Sequence, residues 1–206
     1  MRIISGSFRG KKILEPKDNN TRPLKDLTKE SIFNVIKHSN KFKIDLSNSY
    51  ILDLFSGVGS FGIECLSIGV KKVIFIENYK GVLPILKKNL LSLNSIQNYK
   101  IIEKNIYNDN VFLKLNHKFD IIFLDPPYKD KNLENLLNEI KDQKILNRNG
   151  IIILHRHKKE LDSFPSSFKI IETPWDYGFQ AVLKLKKAPS KSKYNLDNPN
   201  NIFFLS

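Results

Sequence analysis

The stretch FSGVGSFG, residues 55–62, carries Gly57, Gly59 and Gly62 in the spacing G-x-G-x-x-G. The run before it, YILDLF (50–55), is apolar and β-branched enough for a buried parallel strand. SFGIECLSIG (60–69) has helical spacing and stops at Gly69. Strand, glycine turn and helix therefore follow one another. Such a turn brings backbone N–H groups and a helix N-terminus close to a ligand, since glycine has no Cβ to block the approach and tolerates positive φ. The glycines point to a nucleotide-like ligand without saying which.

The next apolar run, KVIFIE (72–77), ends in Glu77. An acidic side chain at the end of a second strand accepts hydrogen bonds from ribose hydroxyls. NAD and S-adenosylmethionine both carry that ribose, so both remain open at this point.

From residue 50 onward, strand-like runs alternate with helical stretches. After the first two come YKIIEK (99–104), FDIIFLD (119–125), NGIIILHRH (149–157), FKIIET (168–173) and QAVLKLK (180–186), with helices expected near 60–68, 79–94, 109–115 and 131–146. Five βα-type units and a closing hairpin predict an α/β fold with a mostly parallel sheet, helices on both faces and an antiparallel terminal strand. Ahead of the sheet, MRIISGSFRGKKIL (1–14) reads as a hairpin turning around Gly6 to Gly10. LKDLTKESIFNVIKHS (24–39) reads as an amphipathic helix through Leu24, Leu27, Ile32, Phe33, Val35 and Ile36. The expected organisation is an N-terminal extension of residues 1–46, a main domain of 47–187 and a flexible tail of 188–206.

Lysine and arginine number 34 against 21 acidic residues, a net charge of +13 that suits a polyanionic partner. Lys, Asn and Ile abound throughout, as AT-biased coding also produces. The distribution separates the two readings: residues 1–46 hold eleven basic and five acidic side chains, whereas 47–186 hold twenty and fifteen. Positive density is concentrated at the N-terminal end. The one cysteine, Cys65, falls on the apolar face of the helix after the glycine turn, which excludes an intramolecular disulfide and fits a buried thiol in a reducing compartment. No apolar run reaches the eighteen residues of a membrane span, and MRIISGSFRGKK has too short an apolar core for a signal peptide. A cytoplasmic chain without a membrane partner is expected.

The fourth strand ends in FLDPPYKD (123–130), at the carboxyl edge where open α/β sheets bind ligands. Asp125, Pro126 and Pro127 make a rigid bend in which the prolines donate no hydrogen bonds. The Asp125 carboxylate and the Pro126 carbonyl can both accept from an exocyclic –NH₂, drawing its lone pair out of ring conjugation and toward an incoming methyl group. Tyr128 offers a π face on which a base can stack. Asp53, four residues before Gly57, would face a methionine ammonium, whereas an NAD pyrophosphate would be repelled there. S-adenosylmethionine is the cofactor these residues favour.

D-x-x-x-G-x-G, Glu77 and D-P-P-Y together resemble S-adenosylmethionine-dependent amino-methyltransferases. RIISGSFRGKKI (2–13), TRPLKDLTKESIFNVI (21–36), DLFSGVGSFGIECLSIG (53–69), FLDPPY (123–128) and YGFQAVLKL (177–185) also stand in the order and spacing of the bacterial 16S rRNA guanine-N2 methyltransferases of the RsmD type. The resemblance covers about residues 2–186. The D-P-P-Y block is shared with DNA adenine-N6 methyltransferases, and the FRG and TRP blocks make the match specific.

The resemblance implies a Rossmann-like class I methyltransferase fold with a seven-stranded sheet. It also implies methyl transfer to N2 of guanine 966 in 16S rRNA, within a small ribosomal subunit or its assembly intermediate, by a monomer that needs no metal. Asp53, Phe55, Gly57 and Gly59 would hold the methionine end of the cofactor, Glu77 and Asn78 its ribose, and Asn105 with Ile106 its adenine edge. Asp125, Pro126, Pro127 and Tyr128 would present the target guanine, and Asp125 would also contact the cofactor. Arg9, Lys11, Lys12 and Arg22 would meet RNA phosphates. Family members often carry a second arginine where this chain has Leu27.

His38, His117, His155 and His157 show no metal-ligand spacing with cysteines or acids, and His155 and His157 read as solvated residues at a strand end. Two rival readings are a DNA adenine-N6 methyltransferase, for which no stretch is long enough to be a target-recognition domain, and an inactive RNA-binding scaffold, against which the glycines, Glu77 and D-P-P-Y are all intact.

Overall fold

A computed structural model describes residues 1–16, 24–108, 110–127, 129–156, 163–172 and 181–186. Its elements are α1 (Asp26–His38), β1 (Tyr50–Leu54), α2 (Ser60–Ile68), β2 (Lys72–Ile76), α3 (Leu83–Leu91), β3 (Tyr99–Ile102), β4 (Phe119–Leu124), α4 (Leu133–Asp142), β5 (Leu146–Leu154), β6 (Phe168–Glu172) and β7 (Ala181–Leu185). The sheet has the order β3-β2-β1-β4-β5-β7-β6. β1 to β5 are parallel, and β7 runs antiparallel between β5 and β6. The expected seven-stranded, mostly parallel sheet with an antiparallel last strand is the one observed.

Successive residues of a strand face opposite sides, so each central strand feeds two cores. Ile51, Phe75, Phe123 and Ile153 pack with α1, α2 and α3, while Leu54, Ile76, Leu124 and Leu154 pack with α4. Strands covered on both faces read as near-continuous apolar runs. Cys65 is buried in the first core.

Helix ends depart from the sequence reading for local reasons. Residues 79–82 form a turn, with Val82 N–H and Leu83 N–H both donating to the Tyr79 carbonyl, and α3 begins only at Leu83 with a proline in its first turn. α4 stops at Asp142, shortly before Lys144 takes a left-handed φ of 53°. The expected helix at 109–115 is a single 3-10 turn, Val111–Lys114, entered through Asn110 at φ 48°.

The hairpin of residues 1–14 is closed by a bridge between Arg2 and Lys12, and its Ile3 and Ile13 lie in the same core as α1 to α3. Gly6, at φ 77°, lies against the end of α2, where a Cβ would come within 1.9 Å of the Ser67 carbonyl oxygen. Behind it, Glu64 of α2 accepts hydrogen bonds from Ile4 N–H at 2.9 Å and Ser5 N–H at 2.6 Å. Lys29 of α1 is fully buried, donating to the Arg2 carbonyl at 2.6 Å and lying 3.2 Å from the Glu64 carboxylate. α1 turns this lysine inward because the face defined by Ile32, Phe33 and Ile36 extends back through residues 28 and 29. Leu27, read as part of the apolar face, lies off it and is 74% exposed.

Candidate active site

The chain leaves β1 toward β2 on one side and returns from β3 to β4 on the other, so the strand order reverses between β1 and β4. A crevice at the carboxyl ends of such a pair is where open α/β sheets take ligands. Asp53 lies near the end of β1, level with Phe123, and Asp125 follows β4 directly. Phe55, the first residue beyond β1, adopts a left-handed φ of 58°, unusual for an aromatic residue and typical of a constrained site. Its ring centroid is 6.0 Å from that of Tyr107, on the segment after β3.

On the β1–β2 side, carboxylates capture backbone N–H groups. Glu77 Oε2 accepts from Gly57 N–H at 2.7 Å, and Oε1 accepts from Asn78 and Tyr79 N–H at 2.9 and 2.8 Å. The glycine turn is thereby tied to the end of β2. Asp53 is 1% exposed, and its Oδ2 accepts from Gly62 N–H at 2.9 Å. Burial pushes its carboxyl well above the usual carboxylate range; the Gly62 bond opposes that, and the negative charges of Asp125 and Glu77 add to it. A Cβ at Gly62 would come within 2.3 Å of the Phe75 ring, so this glycine is what lets α2 approach β2 and Asp53.

Gly59 has a different part from the one its place in the motif suggests. It is buried, its N–H donates to the Ser56 carbonyl at 2.8 Å, and a Cβ would meet Leu86 at 2.5 Å and Ile63 at 3.1 Å. Its φ of 84° and the apolar core beneath it demand glycine there. The half-buried Gly57 is the glycine at the crevice surface. Asn105 is half-buried and accepts from Tyr107 N–H at 2.9 Å, Ile106 is 5% exposed, and Asn78 is exposed.

On the β4–β5 side, side chains hold one another. The parallel register pairs Leu124 with Leu154, so the residues that follow, Asp125 and His155, stand side by side. His155 Nδ1 lies 2.7 Å from Asp125 Oδ1, and its side chain is 18% exposed. This corrects the reading of His155 as a solvated strand-end residue. Arg156, 5% exposed, donates from Nη1 to the Pro127 carbonyl and from Nη2 to the Asp130 carbonyl, each at 2.8 Å. Tyr107 O–H donates to Asp130 Oδ2 at 2.6 Å, and burial together with that bond raises the phenol well above its ordinary range. Pro126 is buried and Pro127 exposed. Neither Arg156 nor Tyr107 was singled out from the sequence. The visible signal was that LD and LH end adjacent strands at equivalent points.

Of the expected RNA contacts, Arg9 and Lys12 are exposed. Lys11 is engaged within the protein, its ammonium bonded to the Ser92 carbonyl and lying 5.7 Å over the Phe8 ring. Arg9 shares a cavity of about 320 Å³, between the hairpin and α1, with Arg2, Lys37 and the acidic Glu30. Arg22, Tyr128, His157, the segment YGFQ (177–180) and the tail from 188 lie outside the described residues.

Residues 1–182 match the family model described as "Conserved hypothetical protein 95". Ribosomal RNA small subunit methyltransferase D of Buchnera aphidicola is 32% identical over 170 residues, 82% of this chain and 84% of that protein. The chain belongs to the RsmD-type family of rRNA methyltransferases. In three dimensions it is similar to the Escherichia coli protein yhhF, with a TM-score of 0.72 at 23% identity over 91% of this chain and 99% of that one. A more distant neighbour in fold, SMU.776, was solved in complex with SAH, with a TM-score of 0.54 at 16% identity over 76% of this chain and 48% of that one. Among the described residues no helix is long and apolar enough to cross a membrane.

Proposed function

We propose that the chain transfers a methyl group from S-adenosylmethionine to the exocyclic N2 amine of guanine 966 in 16S rRNA. The observation that carries the reading is what meets at the carboxyl ends of β1 and β4, where the strand order reverses. There stand a buried carboxyl, Asp53, on the β1 side, and a second carboxylate, Asp125, backed by rigid prolines on the β4 side. A cationic ligand fits such a site: a carboxyl pushed up by burial and by two neighbouring negative charges returns to its ionised form beside an ammonium.

Asp53 faces the methionine ammonium, the backbone at Gly57 lines the methionine end, and Phe55 walls it. Glu77 has its two oxygens fixed by three backbone N–H groups, which leaves one acceptor position, on Oε2, for a ribose hydroxyl. Asn78 flanks the ribose, and Asn105 and Ile106 border the adenine. When bound, S-adenosylmethionine supplies a methyl carbon on a sulfonium, whose C–S bond breaks with its electron pair left on sulfur, giving S-adenosylhomocysteine. Asp125 and the Pro126 carbonyl accept from the amine, hold its lone pair toward that carbon, and Asp125 receives the proton released from nitrogen. Pro127 and Tyr128 complete the seat of the base. One preorganised acceptor of this kind contributes on the order of 10²–10³ in rate.

Residues 1–46 carry the RNA. Arg9 and Lys12, with Arg22, contact phosphates, and the cavity shared by Arg2, Arg9 and Lys37 receives one of them. The test incubates the protein and isotope-labelled S-adenosylmethionine with 16S rRNA, free and in small subunits from cells lacking the protein, and separately with duplex DNA, and maps the product by mass spectrometry. N2-methylguanosine at position 966 is expected. Label on DNA adenine, or no transfer to any of these substrates, overturns the reading in favour of the corresponding rival.

A further inference from the structure

The end of β5 holds the target side of the crevice through two consecutive residues. His155 takes the side chain of Asp125, with Nδ1 at 2.7 Å from Oδ1. Arg156 takes the backbone beyond it, with one nitrogen on the Pro127 carbonyl and another on that of Asp130. The Asp130 N–H closes the same turn on Pro127 O at 2.9 Å, and Tyr107 fixes the Asp130 carboxylate from the β3 side. A guanidinium can fork across two carbonyls because its donors lie in one rigid plane. A buried arginine is retained at such a position only where its donors are satisfied.

We propose that His155 and Arg156 are positioning residues for methyl transfer: a clasp on the Asp-Pro-Pro bend that sets which oxygen of Asp125 meets the amine. This rests on the function proposed above. With its proton on Nδ1, His155 donates to Oδ1, so the carboxylate cannot rotate freely, and Oδ2 faces the target nitrogen. As nitrogen forms its bond to the methyl carbon and the C–S bond gives its pair to sulfur, the surplus proton on nitrogen passes to Oδ2. Arg156 fixes the Pro127 and Asp130 carbonyls, and with them the placement of the bend after β4. A carboxylate with one oxygen tied is preorganised for this task, whereas a free one must lose rotational freedom at the moment of reaction.

Two measurements test the clasp. In the first, hydrogen exchange on the ligand-free protein follows the amides of Asp130 and Asn132. Arg156→Met should speed exchange there at least about tenfold, the order expected when bonds to a charged donor are lost, and leave β1 and β2 unchanged. In the second, single-turnover rates at saturating cofactor and small-subunit RNA compare wild type, His155→Phe and His155→Asn, with thermal unfolding as a control on folding. His155→Phe should lose about tenfold or more in the chemical step with cofactor affinity intact. His155→Asn, whose amide can reproduce the Nδ1–H donor, should recover most of that loss. A wild-type rate in His155→Phe, or equal losses in both His155 variants, would overturn the positioning role. Unchanged exchange in Arg156→Met would overturn the backbone half of the clasp. A wild-type protein without turnover on this RNA would refute the substrate proposed above, and the exchange comparison would still decide the clasp.

Discussion

The two walls of the crevice are built by different means. On the β1–β2 wall, Asp53 and Glu77, and behind them Glu64 of α2, each present a carboxylate to backbone N–H groups of their own fold: Gly62, then Gly57, Asn78 and Tyr79, then Ile4 and Ser5. On the β4–β5 wall, side chains hold side chains or carbonyls: His155 on Asp125, Tyr107 on Asp130, and Arg156 on the Pro127 and Asp130 carbonyls. A carboxylate that satisfies buried N–H groups is part of the folding framework, because removing it strands donors without partners. A side-chain clasp on an edge loop can be released with less damage to the core. Substitutions on the first wall should therefore be read out chiefly as stability, and those on the second chiefly as turnover.

The largest expected effect is on the first wall. Glu64→Ala removes the acceptor of Ile4 and Ser5 N–H and takes from the buried Lys29 ammonium its nearer carboxylate, leaving Asp26 at 3.7 Å. Breaking one partner of a buried pair costs about 3–5 kcal/mol, which should lower the urea midpoint by a large fraction of the whole stability. Retention of the wild-type midpoint would show that the hairpin is not locked to α2 as the geometry requires.

Asp125→Ala is the counterpart on the second wall. It should reduce turnover by at least about a hundredfold, equivalent to roughly 2.7 kcal/mol of transition-state stabilisation, while the urea midpoint and cofactor affinity stay close to wild type. A variant that unfolds instead would erase the contrast between the walls, and one with near-normal turnover would remove Asp125 from the chemistry.

The contrast also explains what could be read from the sequence. Strand, glycine turn and helix at 50–69, with Glu77 one strand later, are local features whose meaning lies in residues close in sequence. The mostly parallel sheet and its antiparallel terminal strand follow from the alternation of runs and the closing hairpin, whereas the strand order does not. The pairing of Asp125 with His155 depends on the register between β4 and β5, and that of Lys29 with Glu64 on the docking of α1 against α2. Register and docking are settled by tertiary packing, so no single segment carries them. Gly59 shows the limit within a motif: its spacing suggested a ligand contact, and its Cβ direction faces Leu86 and Ile63.

A smaller effect links the first wall to protons. Burial raises the Asp53 carboxyl in the ligand-free chain. The folded protein then binds more protons than the unfolded one between the ordinary carboxylate value of about 3.9 and the raised one, and this site's contribution to stability falls as pH rises through that window. An ammonium placed beside Asp53 favours the ionised form, so cofactor binding within the window should release protons, and affinity should fall as pH is lowered, by at most about tenfold per pH unit for one proton. Calorimetry in buffers of different ionisation enthalpy measures the release. Asp53→Asn should abolish it, and a buffer-independent enthalpy in the wild type would place the ammonium elsewhere.

The smallest effect belongs to neither wall, which makes it the control for both. Arg9 and Lys12 are exposed on the hairpin. Their joint replacement by alanine should leave the urea midpoint, cofactor affinity and the methylated base unchanged, because phosphate contacts position RNA without reading it. What should change is the dependence of RNA affinity on salt. Each phosphate contact contributes about 0.7–0.9 to the slope of log K against log salt, so losing two should flatten it by roughly 1.4–1.8. Lys11→Ala, whose ammonium is bonded to the Ser92 carbonyl, should flatten it far less. If Lys11→Ala instead matches the loss of Arg9 or Lys12, Lys11 leaves its internal partner when RNA binds. If none of the three alters the slope, the positive charge of the extension is a compositional trait, and the RNA must approach the crevice over another face.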